Sequence, residues 1–414
     1  MKRAARWRCH RLPLLVILIG VTVVGYGVLL TLHQPLVQLE LVPRVAVDDS
    51  ASRRARQLPA VTLDVDARSL CAGHLVAYGR QFAQLTDAVI DRRRCRSERR
   101  GGEPIETVIN QPESVEYYSV DGGCFRLACP SVAGSQLDDY VFAGTGNHLN
   151  AWLRSLQPTV VAAAAADTRS RFTIAVTRYE YANLYHTMTD WYNAFLLVCF
   201  FNETSDSTDI LFVDSHPRGA LDPVWRRLFR RTLRLSDLSS DGPTSFSRLV
   251  WGWLGYNSLM AIYLSSPTPP LIEEFRSFFL SGYGLPASST LAPDCGAMRL
   301  SVLFIWRRDY GAHPRNPRGH VTRKIDNEEE LVSRVSSMLP QARVKGVQID
   351  LYTMDEQLRM IVETDILIGE HIHVFVNSMV TDRDEHCHTV NWSDFNGELV
   401  TQPNLDSSPY NWDF

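Results

Sequence analysis

Short apolar runs and helical stretches alternate in two separate regions of this chain. In the first, Phe172-Thr173-Ile174-Ala175-Val176 reads as a strand, a helix follows from about Ala182, and Ile210-Leu211-Phe212-Val213 reads as a second strand ending at Asp214. Strand, helix and strand in that order imply a parallel sheet. A Pro/Ser/Gly-rich stretch from Ser265 to Cys295, broken by a short helix near Glu273 to Leu280, separates this region from the next. The second region opens with the strand Val302 to Trp306. Asp326 and Glu329 then predict a capping box for a helix whose Leu331, Val332, Val335, Met338 and Leu339 share one face. Strand Val347 to Leu351, a helix opened by Thr353 and Glu356, and strand Ile366 to Ile368 ending at Gly369 complete half of a doubly wound nucleotide-binding fold. The predicted class is α/β, with two Rossmann-like lobes.

The longest apolar run lies elsewhere. Leu12 to Leu32 is uncharged, and about 20 such residues cross a bilayer. Lys2, Arg3, Arg6, Arg8 and Arg11 precede it, so the positive-inside rule predicts a type II anchor with the rest of the chain lumenal. The run is longer than the apolar core of a cleaved signal peptide, and Gln34-Pro35-Leu36 is a poor cleavage site. All of the eight cysteines except Cys9 would then face an oxidising lumen. Cys124 and Cys129 lack the second pair that a zinc site needs, which favours a structural bridge. Asn202-Glu203-Thr204 and Asn391-Trp392-Ser393 are glycosylation sequons.

Composition narrows the function classes. With 45% hydrophobic and 21% charged residues and a net charge of −4, the chain has no basic excess for nucleic acid. The basic run Arg92-Arg93-Arg94-Cys95-Arg96, followed by Arg99-Arg100-Gly101-Gly102, reads as a solvated loop, with anion binding and proteolytic processing as the other possibilities. No Walker loop, G-x-S-x-G, H-E-x-x-H or EF-hand pattern occurs.

Ligands of open parallel sheets bind beyond the carboxyl ends of the strands. Arg307 and Arg308 follow the Val302 to Trp306 strand, where guanidinium forks match phosphate oxygens. Gly369-Glu370-His371 falls at the same edge. On the predicted first-region helix, Asn183, His186 and Asp190 form a polar stripe facing away from the core, and an i,i+4 spacing lets the imidazole and the carboxylate orient each other. The tripeptides Asp64-Val65-Asp66 and Asp382-Arg383-Asp384 are poorly placed to hold a metal, so no obligatory metal is expected.

The block from Val176 through Arg178-Tyr179-Glu180-Tyr181-Ala182-Asn183-Leu184-Tyr185-His186 to Asp190-Trp191-Tyr192 resembles the plant-type β-1,2-xylosyltransferases of glycosyltransferase family 61. So does Leu303 to Arg315, continuing into Arg323-Lys324-Ile325-Asp326-Asn327-Glu328-Glu329-Glu330. The resemblance covers roughly Cys71 to Gly369. It implies an inverting, GT-B-like Golgi enzyme that moves xylose from UDP-xylose to the core β-mannose of an N-glycan. The implied base is Asp190, with His186 as orienter or substitute and Glu180 behind it. Arg307 and Arg308 would stabilise the departing diphosphate, with His371 beside it, and Glu328 or Glu329 would meet the nucleoside. Asn183, Tyr181 and Trp191 are the implied acceptor contacts.

After Gly369 the family pattern is a His-Gly-Ala-Gly-Leu-Thr-His loop, whereas this chain reads Glu370-His371-Ile372-His373-Val374-Phe375-Val376-Asn377. Two further readings therefore stay open, another family-61 activity such as O-linked N-acetylglucosamine transfer to protein, and a lumenal scaffold without donor binding. The expected organisation is a cytoplasmic tail (1–11), anchor (12–32), stem (33–66), acceptor-side lobe (67–265), linker (266–295), partial nucleotide-sugar lobe (296–381) and irregular tail (382–414).

Overall fold

The computed structural model describes residues 58–59, 65–79, 81–118, 123–129, 148–160, 165–178, 180–253, 258–262, 269–286, 300–311, 313–321, 324–369 and 388–391. The expected anchor Leu12–Leu32, His371, both Asp-x-Asp motifs as wholes, Cys295 and Cys387 lie outside them. Among the described residues no helix is long and apolar enough to cross a membrane.

Hairpin connections build one half of a large sheet from β1 (Ala67–Leu70), β2 (Leu75–Tyr78) and β3 (Phe82–Ile90), paired antiparallel in sequence order. Beside β3 run β4 (Phe125–Ala128) and, parallel to β4, β5 (Leu156–Thr159), preceded by helix α1 (His148–Ser155). The other half consists of β6 (Asp167–Val176), β7 (Asp209–Phe212), β8 (Arg231–Arg234) and β9 (Thr244–Trp251). The main path runs β1-β2-β3-β9-β6-β7-β8, and β9, β6, β7 and β8 are mutually parallel. β7 is buried at all of its positions, as expected when both faces of a parallel sheet are covered, with Asp209 at its start paired to Arg230 and Arg231.

Alternation along β6 and β7 feeds two cores. Ile174, Val176, Ile210 and Phe212 point to the side covered by α2 (Leu184–Phe200), α3 (Asp222–Leu228), the short α4 (Leu259–Ile262) and α5 (Ile272–Gly282). Ala175, Leu211 and Val213 point the other way, among residues of β1 to β4 and α1. α5 falls inside the stretch expected to be a linker, yet it buries Phe275, Phe278 and Phe279 in the first core, against Tyr192, Phe195 and Trp191 of α2. α2 is thus held between sheet and helix and is buried from Thr187 to Cys199. The outward polar stripe expected on this helix reaches solvent only at its start, where Asn183 and His186 are partly exposed. Asp190 and Asn193 are each 2% exposed, because tertiary packing covers a face that the helical period alone assigns to water.

The disulfides also depart from the simplest reading. Cys124 and Cys129 flank β4, and an extended strand separates its ends too far for one disulfide. They pair instead as Cys95–Cys124 and Cys71–Cys129, while Cys199 is a buried thiol.

The second sheet contains β10 (Ser301–Trp306), β11 (Arg343–Gln348), β12 (Ile366–Gly369) and β13 (His388–Asn391), all parallel, in the order β11-β10-β12-β13. α6 (Glu328–Met338) and α7 (Met354–Val362) connect the first three strands. β10 hands on to β11 at one side and β12 lies at its other, so the carboxyl ends of β10 and β12 form a topological switch point. Thr353 and Glu356 form the expected reciprocal cap on α7, whereas α6 is preceded by Asn327 without a side-chain cap, not by Asp326. β11 starts earlier than its apolar residues suggest, because an edge strand tolerates Arg343 and Lys345, and Ile349–Leu351 turns off as a single 3-10 turn. β13 places a strand within the stretch expected to be irregular. Leu358 of α7 is buried in the core of the first sheet, which joins the two sheets through one helix.

Candidate active site

The carboxyl ends of β6 and β7 lie side by side, and the residues that follow them meet in a buried polar cluster. Arg178, just beyond β6, donates from Nε and Nη2 to the two carboxylate oxygens of Asp214, at 3.1 and 2.6 Å, and from Nη1 to Asp222 at 2.6 Å. Its backbone N–H also donates to Asp214, at 3.0 Å. Arg234 closes the chain by donating to the second oxygen of Asp222 at 2.7 Å. Burial alone would raise the Asp214 carboxyl, but Arg178, His216 and Arg234 hold it well below the usual carboxylate range. With Arg178 at 1% and Asp214 at 0% exposure, this network is a fixed frame.

On that frame sit His216, Glu116 and Tyr181. His216 follows β7 and faces the Glu116 carboxylate with Nδ1 at 2.7 Å and the Arg178 carbonyl with Nε2 at 2.8 Å. Gln111 donates to the other oxygen of Glu116 at 2.9 Å. Burial pushes the Glu116 carboxyl up, but the hydrogen bonds from His216 and Gln111 outweigh it and the net shift is downward. The Tyr181 ring lies between two imidazoles, its centroid 4.7 Å from that of His216 and 5.2 Å from that of His313. Gly219 allows this stacking, since a Cβ there would meet the Tyr181 carbonyl at 2.8 Å.

His313 and Arg315 arrive from the second sheet, on the loop between β10 and α6, which is tied down by Asn110 N–H donating to the Pro314 carbonyl at 2.9 Å. Arg315 spans two carboxylates, with Nη1 3.4 Å from Glu116 and Nη2 3.5 Å from Glu180. The Arg315 backbone N–H donates to His313 Nδ1 at 3.1 Å, which leaves Nε2 to carry the ring proton. That nitrogen lies 3.6 Å from Glu180 Oε1. Burial, then the Arg315 charge, push the His313 imidazole down to about 3, so it is neutral at physiological pH. Glu180 is 4% exposed, and burial raises its carboxyl above the ordinary glutamate value despite a backbone hydrogen bond from Ala182. A carboxyl so tuned exchanges protons nearer neutrality, as a general base requires.

The residues singled out from sequence fall in different places. Glu180 and Tyr181 enter the cluster. Asp190 lies on α2 within electrostatic reach of Arg178, and His186 is partly buried beside the Tyr185 ring, its imidazole pushed down to about 4 by burial. Asn183 is the cap of α2, accepting from the N–H groups of Tyr185 and His186. Trp191 is fully buried against Trp225 and Phe279, a core position closed to an acceptor sugar. Asn202 is exposed in the turn after α2, with φ 51°, and Asn391 ends β13.

At the switch point of the second sheet, the Arg308 fork donates to Glu328 in the first turn of α6, at 3.1 Å from Nε. Arg307 Nε is buried and has no hydrogen-bond partner among the described residues. Glu329 is exposed on the same turn of α6. Among the described residues no group of three or more His, Cys, Asp or Glu side chains is arranged to hold a metal ion.

The sequence of the chain has measurable relatives. It is 29% identical over 306 residues to β-1,2-xylosyltransferase RCN11 of Oryza sativa subsp. japonica, a match that covers 66% of this chain and 56% of the rice protein. It is 26% identical over 334 residues to the β-1,2-xylosyltransferase of Arabidopsis thaliana, covering 66% of this chain and 62% of that protein. The chain is a relative of the plant-type xylosyltransferases. It spans somewhat more than half the length of these curated relatives, and no protein-family model matches it. In this xylosyltransferase relative the cluster had partial sequence signals. Asp214 and His216 stand at the end of a strand, and Arg178, His313 and Arg315 lie inside the two resembling blocks. Glu116 follows no motif and becomes visible only through its contact with His216.

Proposed function

We propose that this chain is an inverting glycosyltransferase of GT-B architecture that transfers xylose from UDP-xylose to the core β-mannose of N-glycans. The observation that carries the proposal is Glu180, a carboxyl with a raised pKa at the carboxyl edge of parallel strands, met there by His313 and Arg315 from the other sheet. The names of the two relatives supply the sugar and the linkage. In this reading Glu180 takes the proton from the acceptor hydroxyl as its oxygen bonds to the anomeric carbon. The bond from that carbon to the diphosphate breaks on the opposite face, and UDP leaves. The neutral His313 orients Glu180. Arg307 and Arg308, at the switch point of the second sheet, take the diphosphate, and Glu328 and Glu329 border the nucleoside. Asp190 and His186 act from behind, through Arg178 and the first turn of α2.

The cluster is closed, so an acceptor reaches Glu180 only when the His313–Arg315 loop lifts away, a gating step of the kind that sets the turnover of many enzymes. The reading needs no metal. It places the chain in the Golgi as a type II membrane protein, on the strength of Leu12–Leu32 and the arginines before it, with the sequon at Asn202 glycosylated.

Incubating the purified full chain with UDP-xylose and an N-glycan acceptor tests this. A β-linked pentose on the core mannose, formed equally in the presence of a chelator, is the expected product. Transfer from UDP-N-acetylglucosamine to protein instead would favour the other family-61 activity. Folded protein that binds no UDP-sugar would favour the scaffold reading, whose motive is the altered segment after Gly369.

A further inference from the structure

Every guanidinium in the buried frame has a carboxylate partner, but the basic loop at the rim of the first sheet is arranged differently. Between Arg92 and Arg100 the chain has six arginines and one acidic residue, Glu98. Mutual repulsion disfavours such a cluster unless something anionic offsets it. A flexible loop would relieve the repulsion by spreading. This one is held on both sides: the disulfide Cys95–Cys124 ties it to β4, Arg92 Nη1 donates to the Leu238 carbonyl at 3.0 Å, and the Tyr118 hydroxyl donates to the Arg100 carbonyl at 2.9 Å. Gly101 and Gly102, at φ of 83° and 84°, lay the end of the loop on Ser215 and Arg234, where a Cβ at Gly102 would come within 2.8 Å of Arg234 Nε.

The held loop borders an open hollow of about 270 Å³ whose walls include Arg92, Arg93, Arg99 and Arg100 with Tyr118 and Ser236. Among the described residues no Asp or Glu lines it. Arg93 is already engaged with Asp91, at 2.9 and 3.0 Å, whereas the guanidinium groups of Arg99 and Arg100 form no ion pair with a described carboxylate. Planar guanidinium forks around such a hollow match a tetrahedral oxyanion.

We infer that this hollow is an oxyanion site on the acceptor-side lobe, taking a phosphate or sulfate group either free or as a monoester on a sugar. It is separate from the diphosphate position at Arg307, and it stands whether or not the chain transfers xylose. Ser97 links it to the active cluster, its hydroxyl 2.9 Å from that of Ser215, the neighbour of His216, so an acceptor bearing such a group would be held at the edge of the cluster.

The test is calorimetric titration of the purified full chain with inorganic phosphate, against chloride at matched ionic strength, repeated with a mannose phosphate monoester. Saturable binding of phosphate is expected, weakened about tenfold or more in Arg99→Ala/Arg100→Ala. Arg99→Lys/Arg100→Lys, which keeps the charge and loses the forks, should lie between. Tighter binding of the sugar ester than of inorganic phosphate would identify the group as one carried on a glycan, and equal binding would identify a free anion. Absence of saturable binding, or binding unchanged in the alanine variant while Arg307→Ala abolishes it, would overturn the inference. Because Arg99 and Arg100 are outside the active cluster, xylose transfer to an uncharged glycan should survive in both variants.

Discussion

Two carboxyl edges of parallel strands carry arginines in this molecule, and they use them in opposite ways. At the ends of β6 and β8, Arg178 and Arg234 are satisfied internally, by Asp214 and Asp222. At the end of β10, Arg308 is half exposed and leans on one glutamate of α6, and Arg307 has a buried Nε without a described partner. Position in the fold is the same, so position alone does not make a ligand site. What differs is whether the guanidinium is neutralised within the chain. A neutralised arginine fixes geometry, and one left short of acceptors keeps its charge for an anion that arrives later. Under the proposed function, the first edge would position Glu180 and the second would receive the diphosphate.

The largest effect that could break this division is on catalysis. Glu180→Gln keeps the shape and removes the base, and kcat should fall by about 10²–10⁴-fold with UDP affinity unchanged. In the unaltered chain kcat/KM should rise with pH through a value above the ordinary glutamate range, because burial raises this carboxyl and only its ionised form accepts a proton. If instead Asp190→Asn abolishes turnover and Glu180→Gln does not, the base lies on α2 and the first edge has been misassigned.

Stability probes the frame itself. Asp214→Asn leaves Arg178 buried with one carboxylate in place of two, and breaking a buried pair of this kind costs roughly 3–5 kcal/mol. Thermal or urea unfolding would show it. The folded-state pKa of Asp214 is depressed, so its contribution is complete above the ordinary aspartate pKa and is lost as pH falls through the depressed value. The difference between the two chains should therefore shrink in acid. Equal stability at neutral pH would mean that the first edge is not a frame.

At the second edge the expected loss is in binding, not folding. Arg307→Ala should weaken UDP by about tenfold or more, the magnitude of a charge-assisted hydrogen bond, with the unfolding midpoint unchanged. A midpoint that drops while UDP binding holds would make Arg307 part of a frame too, and the contrast between the edges would vanish.

How much of this was legible in the sequence follows from the range of the interactions involved. Local pattern located the strands at Phe172, Ile210, Val302 and Ile366 and the reciprocal cap Thr353–Glu356, because each depends on a few neighbouring residues. It misjudged α2 at Asp190, which is buried within electrostatic reach of Arg178, and no periodicity connects α2 to α5, about 80 residues further along the chain, which packs on Trp191, Tyr192 and Phe195. It placed Arg307 and Arg308 by the rule for strand ends, and it noticed Asp214 for the same reason without seeing that Arg178 occupies it. Glu116 was out of reach, and Arg315 was legible only as the end of a resembling block, without a role. They matter because a loop from the second sheet meets a turn of the first, at 3.4 Å, and such a contact has no sequence period.

Glu328→Gln carries the smallest effect and separates two roles for one residue. Glu328 accepts from Arg308, so it competes with any phosphate for that fork. If competition is its main role, removing the charge should tighten UDP binding by up to about fivefold, the scale of an exposed ion pair, with no change in the midpoint. If Glu328 instead holds the nucleoside, as the family resemblance implies, the same substitution should weaken UDP and leave inorganic pyrophosphate unaffected. Titrating both ligands against both chains distinguishes these outcomes. Tightening for UDP and pyrophosphate alike would show that the second edge keeps Arg308 in reserve through a single replaceable carboxylate, where the first edge holds Arg178 with two.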